Sequence, residues 1–156
     1  MGDAMPIREM VSEDCAAVAE IEAASFSDPW TREGFEVVLG RSDIVAFVCC
    51  EGEKIIAYLI LQLDAPDAHV MNLAVHPDFR RRGIALDCLR FAERFARRRG
   101  IVRMELEVQE SNLPAQLLYR HAGYRATRIL RKYYPTTHED GYRMVRALRE
   151  PVRSSR

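Results

Sequence analysis

The sequence predicts an α/β protein: one domain with a mixed, mostly antiparallel sheet of seven strands and about four helices on both faces. The length of 156 residues fits one domain. Short β-branched and aromatic segments alternate with longer amphipathic ones. Two strand–helix–strand units predict parallel pairing, and closely spaced strands at either end predict hairpins. We expect residues 1–156 to form a single domain, with 151–156 as a flexible tail.

The first half is predicted to begin with an edge strand at Pro6–Met10 and two helices. Ser12 is expected to cap the first helix, which the Asp28-Pro29-Trp30 segment interrupts. Thr31 is placed to cap a second helix that Gly40 ends. Three strands follow, and their predicted ranges are Ile44–Cys50, Lys54–Gln62 and His69–Val75.

The second half is predicted to alternate helices and strands: a helix at Ile84–Arg99, a strand at Val102–Val108, a helix from Asn112 to Gly123, and paired strands at Tyr124–Tyr133 and Tyr142–Leu148. Gly100 follows three arginines, which is typical of a helix C-terminus. Asn112 is a favourable N-cap, with Pro114 in the first turn.

Composition excludes several classes of protein. The longest uncharged apolar runs, Ile44–Cys50 and Ile55–Leu61, are seven residues each, whereas a membrane helix needs about 20. The N-terminus shows no secretory signal, so a cytoplasmic protein is expected. The four cysteines, at 15, 49, 50 and 88, have no metal-site spacing. We expect them to be buried free thiols and predict no metal.

The charge is divided unevenly along a chain whose net charge is zero. Residues 1–79 contain 4 basic and 15 acidic residues, a net charge of −11, and residues 80–156 contain 19 basic and 8 acidic, +11. The acidic half could attract a basic partner and the basic half an anionic one. Alternatively, the two halves neutralise each other in the fold.

The most informative segment is Val75–Ala85, where a strand ends, a basic loop follows and a helix begins. The first turn of a helix presents unpaired backbone N–H groups and the positive end of the dipole. Small residues at Gly83 and Ala85 allow a phosphate to approach the backbone, and three arginines add charge. This pattern predicts a pyrophosphate site, and the alternative is a solvated basic loop.

The segment Arg80-x-x-Gly83-x-Ala85 resembles the [Q/R]-x-x-G-x-[G/A] signature of the GCN5-related N-acetyltransferases (GNAT family). Asn72–Pro77 resembles the strand that precedes that signature. Three further segments, Phe26–Trp30, Leu106–Asn112 and Tyr133–Thr137, resemble the narrower group of ribosomal-protein-alanine acetyltransferases. The resemblance covers nearly the whole chain and implies the GNAT fold with acetyl-CoA as co-substrate.

The resemblance also implies residue roles. Glu107 would be the general base and Tyr119 the general acid. Asn112 would contact the cofactor. The remaining cofactor-binding residues would be Leu73, Ala74 and Val75 for the acetyl and pantetheine groups, and Arg80, Arg81, Arg82, Gly83, Ile84, Ala85 and Leu86 for the pyrophosphate.

Elementary chemistry is compatible with both catalytic roles. Glu107 lies on the polar side of an alternating strand, where a carboxylate can take a proton. Tyr119 is protonated at neutral pH and can donate to sulfur. Glu105 shares that face and is an alternative base, and Tyr119 could instead be a core aromatic. All four histidines are expected to be structural.

The predicted function is transfer of acetyl to the N-terminal α-amine of a protein, in particular an N-terminal alanine of a ribosomal protein, by direct attack in a ternary complex. The alternatives are acetylation of a small amine and a non-catalytic acyl-CoA-binding module. An RNA-binding role for the arginine-rich helix ranks last, because aromatics interleaved for base stacking are lacking. We expect neither a membrane nor a nucleic-acid partner.

Overall fold

A computed structural model describes residues 5–148, which fold around one seven-stranded sheet. The helices are α1 (Cys15–Ser25), α2 (Arg32–Leu39), α3 (Ile84–Arg98) and α4 (Leu113–His121). The strands are β1 (Ile7–Glu9), β2 (Ile44–Glu51), β3 (Lys54–Asp64), β4 (Asp67–Val75), β5 (Arg103–Gln109), β6 (Arg125–Leu130) and β7 (Gly141–Ala147). The tail predicted at 151–156 lies outside the described residues.

The sheet has the order β1-β2-β3-β4-β5-β7-β6. Neighbouring strands are antiparallel except β4 and β5, which α3 connects. The mixed, mostly antiparallel sheet is therefore confirmed, as is parallel pairing across α3. Parallel pairing across α4 was wrong, because β7 lies between β5 and β6 and pairs with both.

Helices cover both faces of the sheet, as predicted. The α3 face is the larger core and includes Leu59, Leu89 and Met104. The opposite face packs α1 and α2 against β2 and β3 through residues such as Phe35 and Tyr58. All four cysteines are buried free thiols. Within residues 5–148, no helix combines the length and the apolar character that a membrane crossing requires.

The predicted side-chain caps are observed at two helix starts, and the third is not. The Thr31 side chain accepts the Gly34 N–H at 3.1 Å, and Asn112 accepts the Ala115 N–H at 3.2 Å. The expected cap at Ser12 is wrong, because a 3₁₀ turn at Ser12–Asp14 precedes α1. Asp14 instead accepts the Val11 N–H at 2.8 Å.

β6 is shorter than the predicted strand at 124–133, because it ends at Leu130. Lys132 has a positive φ of 48°, and its N–H donates to the Asp140 carboxylate at 2.8 Å. This turn leaves Tyr133 and Tyr134 in the loop between β6 and β7 rather than in the sheet.

A buried carboxylate fastens α3 to the last strands. Glu93 is fully buried and accepts hydrogen bonds from Arg90 at 2.9 Å, from the Tyr124 hydroxyl at 3.0 Å and from Arg146. Tyr124 in turn packs edge-on against Tyr119, with ring centroids 6.2 Å apart. The Glu93 cluster therefore supports the position of Tyr119.

We expect Glu93→Ala to lower the free energy of unfolding by about 3 kcal/mol, because removing one partner of a buried ion pair leaves the others uncompensated. The value is at the low end for such pairs, since Arg90 and Arg146 are partly exposed. Urea unfolding measures it, with Glu110→Ala at an exposed position as the control. Equal stability of the two variants would contradict the assignment.

Candidate active site

A gap opens between β4 and β5 in the middle of the sheet. Their pairing runs from Asp67 and Arg103 to Val70 and Leu106 and ends there, although both strands continue. A bulge in the pairing of β3 with β4 occurs at the same level. Past this point the facing edges of β4 and β5 are free to pair with something else.

The backbone of β4 presents open hydrogen-bonding groups to this gap. The His76 N–H bonds to β3 at 2.7 Å, and Ala74 lies opposite Tyr58 of β3. Backbone groups of successive residues in an antiparallel pair point to opposite edges of the strand. Those of Leu73 and Val75 therefore face the gap, whereas those of Ala74 face β3.

The N-terminus of α3 lies just beyond the end of β4. Gly83 has a φ of 75°, in the left-handed region that favours glycine. The first helical hydrogen bond of α3 runs from the Asp87 N–H to the Gly83 carbonyl, at 3.1 Å. The amides of Ile84, Ala85 and Leu86 precede that bond, so they are available to an anion.

The three loop arginines have different environments. Arg80 donates to the Val75 carbonyl and to the Ser25 hydroxyl, both at 3.1 Å, and so braces the loop against β4 and α1. The Arg82 guanidinium stacks on Phe79, 5.1 Å from the ring centroid. Arg81 and Arg82 are exposed, so their charges are accessible at the start of α3.

Glu107 lies on β5 just after the strands separate. His69 Nε2 contacts Oε2 of Glu107, and Arg143 Nη2 donates to Oε1 at 3.1 Å. Burial by itself would raise the pKa of Glu107, but His69 and Arg143 outweigh it and hold that pKa below its ordinary value. The carboxylate is therefore ionised at neutral pH.

His69, which was expected to be structural, contacts Glu107. It lies 38 positions before Glu107 in the chain, and only the parallel pairing of β4 with β5 brings them together. Glu105 faces His69 directly across the two strands, but within residues 5–148 its side chain makes no hydrogen bond. The structure thus distinguishes Glu107 from its neighbour.

Tyr119 lies on α4 and belongs to the core on the same face of the sheet as α3. It is 9% exposed. Burial raises its pKa to about 12, so its hydroxyl stays protonated at neutral pH. That hydroxyl has no hydrogen-bond partner among the described residues. The fully buried side-chain polar atoms without a partner there are Asn72 Oδ1 and Arg143 Nε, so the Tyr119 hydroxyl is not closed off from its surroundings. Tyr119 therefore has a proton to donate and open space beside it.

Tyr134 lies near both catalytic candidates. The only sequence signal for it is its place in Tyr133–Thr137, the segment that resembles the narrower acetyltransferase group. Burial raises the pKa of Tyr134, and the nearby Glu107 carboxylate raises it further, with a smaller effect from Tyr119. The Tyr134 ring packs on Gly141 and edge-on against Tyr133, with centroids 5.1 Å apart. The loop between β6 and β7 thus forms one wall of the site.

We expect Gly141→Ala to lower kcat/KM for the acceptor substrate by up to about 100-fold, the effect of a displacement of roughly 1 Å in an active site. A Cβ there would lie 2.8 Å from the Tyr134 ring and 3.2 Å from the Val108 carbonyl. Because β5 is held by its pairing with β7, we expect the Tyr134 ring to move. Steady-state kinetics test this, with Gly34→Ala, where the contacts are at least 3.5 Å, as the control. Equal kcat/KM in both variants would contradict it.

A second buried carboxylate lies beside the bulge in β4. Glu22 of α1 is 1% exposed and accepts hydrogen bonds from the Tyr58 hydroxyl, from Asn72 at 3.0 Å and from the Trp30 N–H at 2.9 Å. It fixes the turn between α1 and α2 against the bulge in β4. Trp30 packs on Phe35, with centroids 5.3 Å apart.

Comparisons with known proteins agree with this geometry. The model of the acetyltransferase (GNAT) family matches residues 15–124. The [ribosomal protein bS18]-alanine N-acetyltransferase of Escherichia coli K12 is 31% identical over 131 residues, 84% of this chain and 88% of that protein. The enzyme of the same name from Salmonella typhimurium is 33% identical over 134 residues, 85% and 90% of the two chains.

Among solved structures, the crystal structure of the ribosomal-protein-S18-alanine N-acetyltransferase from Escherichia coli superposes with a TM-score of 0.86. It is 28% identical and covers 97% of this chain and 98% of its own. The family match spans the gap between β4 and β5, the start of α3 and Tyr119. The chain therefore belongs to the GNAT acetyltransferase family and is an N-acetyltransferase.

Proposed function

We propose that the protein transfers acetyl from acetyl-CoA to the N-terminal α-amine of a protein, in particular to the N-terminal alanine of a ribosomal protein in the cytoplasm. The observation that carries this proposal is the open gap between β4 and β5, with an anion-binding helix start at one side and Glu107 beside it. The curated relatives, whose names specify bS18 alanine, support the substrate.

The chain offers groups that fit each part of acetyl-CoA. The backbone of Leu73 and the N–H of Val75 face the gap and suit the amides of pantetheine, and the amides at the start of α3 suit the pyrophosphate. Asn112 uses its side-chain oxygen as the cap of α4, which leaves its NH₂ group for the cofactor.

Tyr119 and Glu107 divide the proton transfers. Glu107 is on the side where the amine must lose a proton, and Tyr119 has a proton for the departing thiolate. An α-amine has a pKa of about 7.7–8 and a lysine side chain about 10.4, so lysine costs roughly 3.5 kcal/mol more to deprotonate at neutral pH. A carboxylate whose pKa is lowered suits the easier of these tasks.

The charge asymmetry is compatible with two substrates of opposite sign. Within residues 5–148, Asp67 with Arg103 is the one arginine–carboxylate ion pair that joins the acidic half to the basic half. Direct ion pairs between the two halves are therefore few in this part of the chain. The basic half includes the start of α3, where the CoA phosphates would bind, and the acidic half includes α1 and α2, on the face that His69 and Glu107 share.

The decisive experiment uses the purified protein, acetyl-CoA and peptides that differ in their first residue and contain an internal lysine. Mass spectrometry then locates the acetyl group. We expect it on the first residue, with alanine preferred. A peptide whose α-amine is already blocked serves as the control and should stay unmodified. Acetylation mainly on lysine side chains would refute the N-terminal assignment.

A further inference from the structure

A row of three side chains from neighbouring strands crosses the α1 face of the sheet: His69 on β4, Glu107 on β5 and Arg143 on β7. Glu107 and Arg143 are direct cross-strand partners, and His69 and Arg143 contact different oxygens of the carboxylate. The Glu107 side chain is 11% exposed and that of His69 26%. Solvent therefore reaches the imidazole more readily than the carboxylate.

The contact fixes which nitrogen of His69 carries the hydrogen. An ionised carboxylate can only accept, so the hydrogen lies on Nε2, and the neutral ring keeps its lone pair on Nδ1. Among the described residues Nδ1 has no hydrogen-bond partner. It is also not one of their fully buried polar atoms that lack a partner, so it is accessible to solvent. In the neutral ring, Nδ1 thus offers its lone pair to solvent near the point where β4 and β5 separate.

We propose that His69 and Glu107 act together as the base of the acetyl transfer, with His69 Nδ1 taking the proton of the substrate ammonium. Glu107 orients the imidazole and stabilises the imidazolium that forms, as in other carboxylate–histidine pairs. Arg143 holds the second oxygen of Glu107 and keeps it ionised. This inference rests on the proposed function and refines the role of Glu107 within it.

Charged groups from several neighbouring elements surround His69. On β5 it faces Glu105 and Glu107, whereas its partner on β3, Gln62, is neutral. From β7 the charge in the row is that of Arg143. Glu22 of α1 is also on this face of the sheet, where it accepts hydrogen bonds from Tyr58 and from Asn72 of β4. Carboxylates therefore outnumber cations around the imidazole.

The proton transfers balance. The substrate ammonium gives one proton to His69, which releases it to solvent. The free amine attacks the thioester carbonyl carbon, a C–N bond forms and the C–S bond breaks, and Tyr119 gives its proton to the departing sulfur. The second proton on the nitrogen restores Tyr119, so that one proton is released for each acetyl group transferred.

His69→Gln tests the proposal, because glutamine keeps an N–H donor for Glu107 but cannot take a proton. An α-amine is about one-tenth neutral at pH 7. A variant without this base reacts only with the neutral form of the amine. Its kcat/KM should therefore be about tenfold below that of the wild type at pH 7 and little changed at pH 9. Glu107→Gln should show the same trend, and His121→Gln, exposed on α4, should resemble the wild type.

The outcomes separate the inference from the function on which it rests. A deficit that is equal at every pH, or no deficit at all, overturns the role of His69 while the wild type still acetylates the peptide. Failure of the wild type to acetylate it refutes the proposed function instead. Nitrogen-15 NMR of the wild-type imidazole is independent of any variant's folding: we expect the Nε2–H tautomer of His69, and the Nδ1–H tautomer would also overturn the proposal.

Discussion

Tyr119→Phe should lower kcat by about 10²–10⁴-fold, the usual contribution of a general acid. The hydroxyl is the group that burial keeps protonated, with a pKa of about 12. The phenyl ring would preserve the edge-on contact with Tyr124. We therefore expect Tm and the affinity for acetyl-CoA to stay near the wild-type values, and pre-steady-state kinetics to locate the loss in the acetyl-transfer step.

Tyr124→Phe is the matched control, because the two tyrosines touch but use their hydroxyls differently. The Tyr124 hydroxyl donates to the buried Glu93 at 3.0 Å, so its removal should lower the free energy of unfolding by about 1.5–3 kcal/mol and spare most of kcat. A folded Tyr119→Phe protein with wild-type kcat would exclude Tyr119 as the acid.

The parts of the fold that depend on local chemistry could be predicted from the sequence. The caps at Thr31 and Asn112, the alternation along β5 and the helix that starts at Gly83 each follow from a few adjacent residues. Their signals are short-range, because a capping oxygen or a left-handed glycine acts within one turn. The wrong prediction at Ser12 also concerns neighbouring residues, because Asp14, two residues later, accepts the backbone hydrogen bond instead.

Contacts between distant segments could not be predicted in this way. The place of β7 between β5 and β6 depends on a whole-sheet arrangement, and a strand–helix–strand unit by itself favours direct pairing. The contact of His69 with Glu107 and the packing of Tyr134 on Gly141 join segments from different strands or loops. In each case the sequence could single out a residue or its segment, but the contact itself comes from tertiary packing.

Gly83→Asp should abolish most of the stabilisation by acetyl-CoA, whereas Gly83→Asn should retain it. Both side chains tolerate the left-handed conformation of this residue better than most, and no atom lies within 4 Å of the added Cβ. The pair therefore differs mainly in charge.

A carboxylate about 5 Å from a phosphate charge costs about 3 kcal/mol at an effective dielectric constant of roughly 20, enough to weaken binding about 100-fold. At a ligand concentration about 100 times the wild-type Kd, the ligand-induced stabilisation should fall from about 2.7 to about 0.4 kcal/mol. Thermal unfolding with and without acetyl-CoA measures this difference, and equal Tm shifts in the Asp and Asn variants would show that the phosphates bind elsewhere.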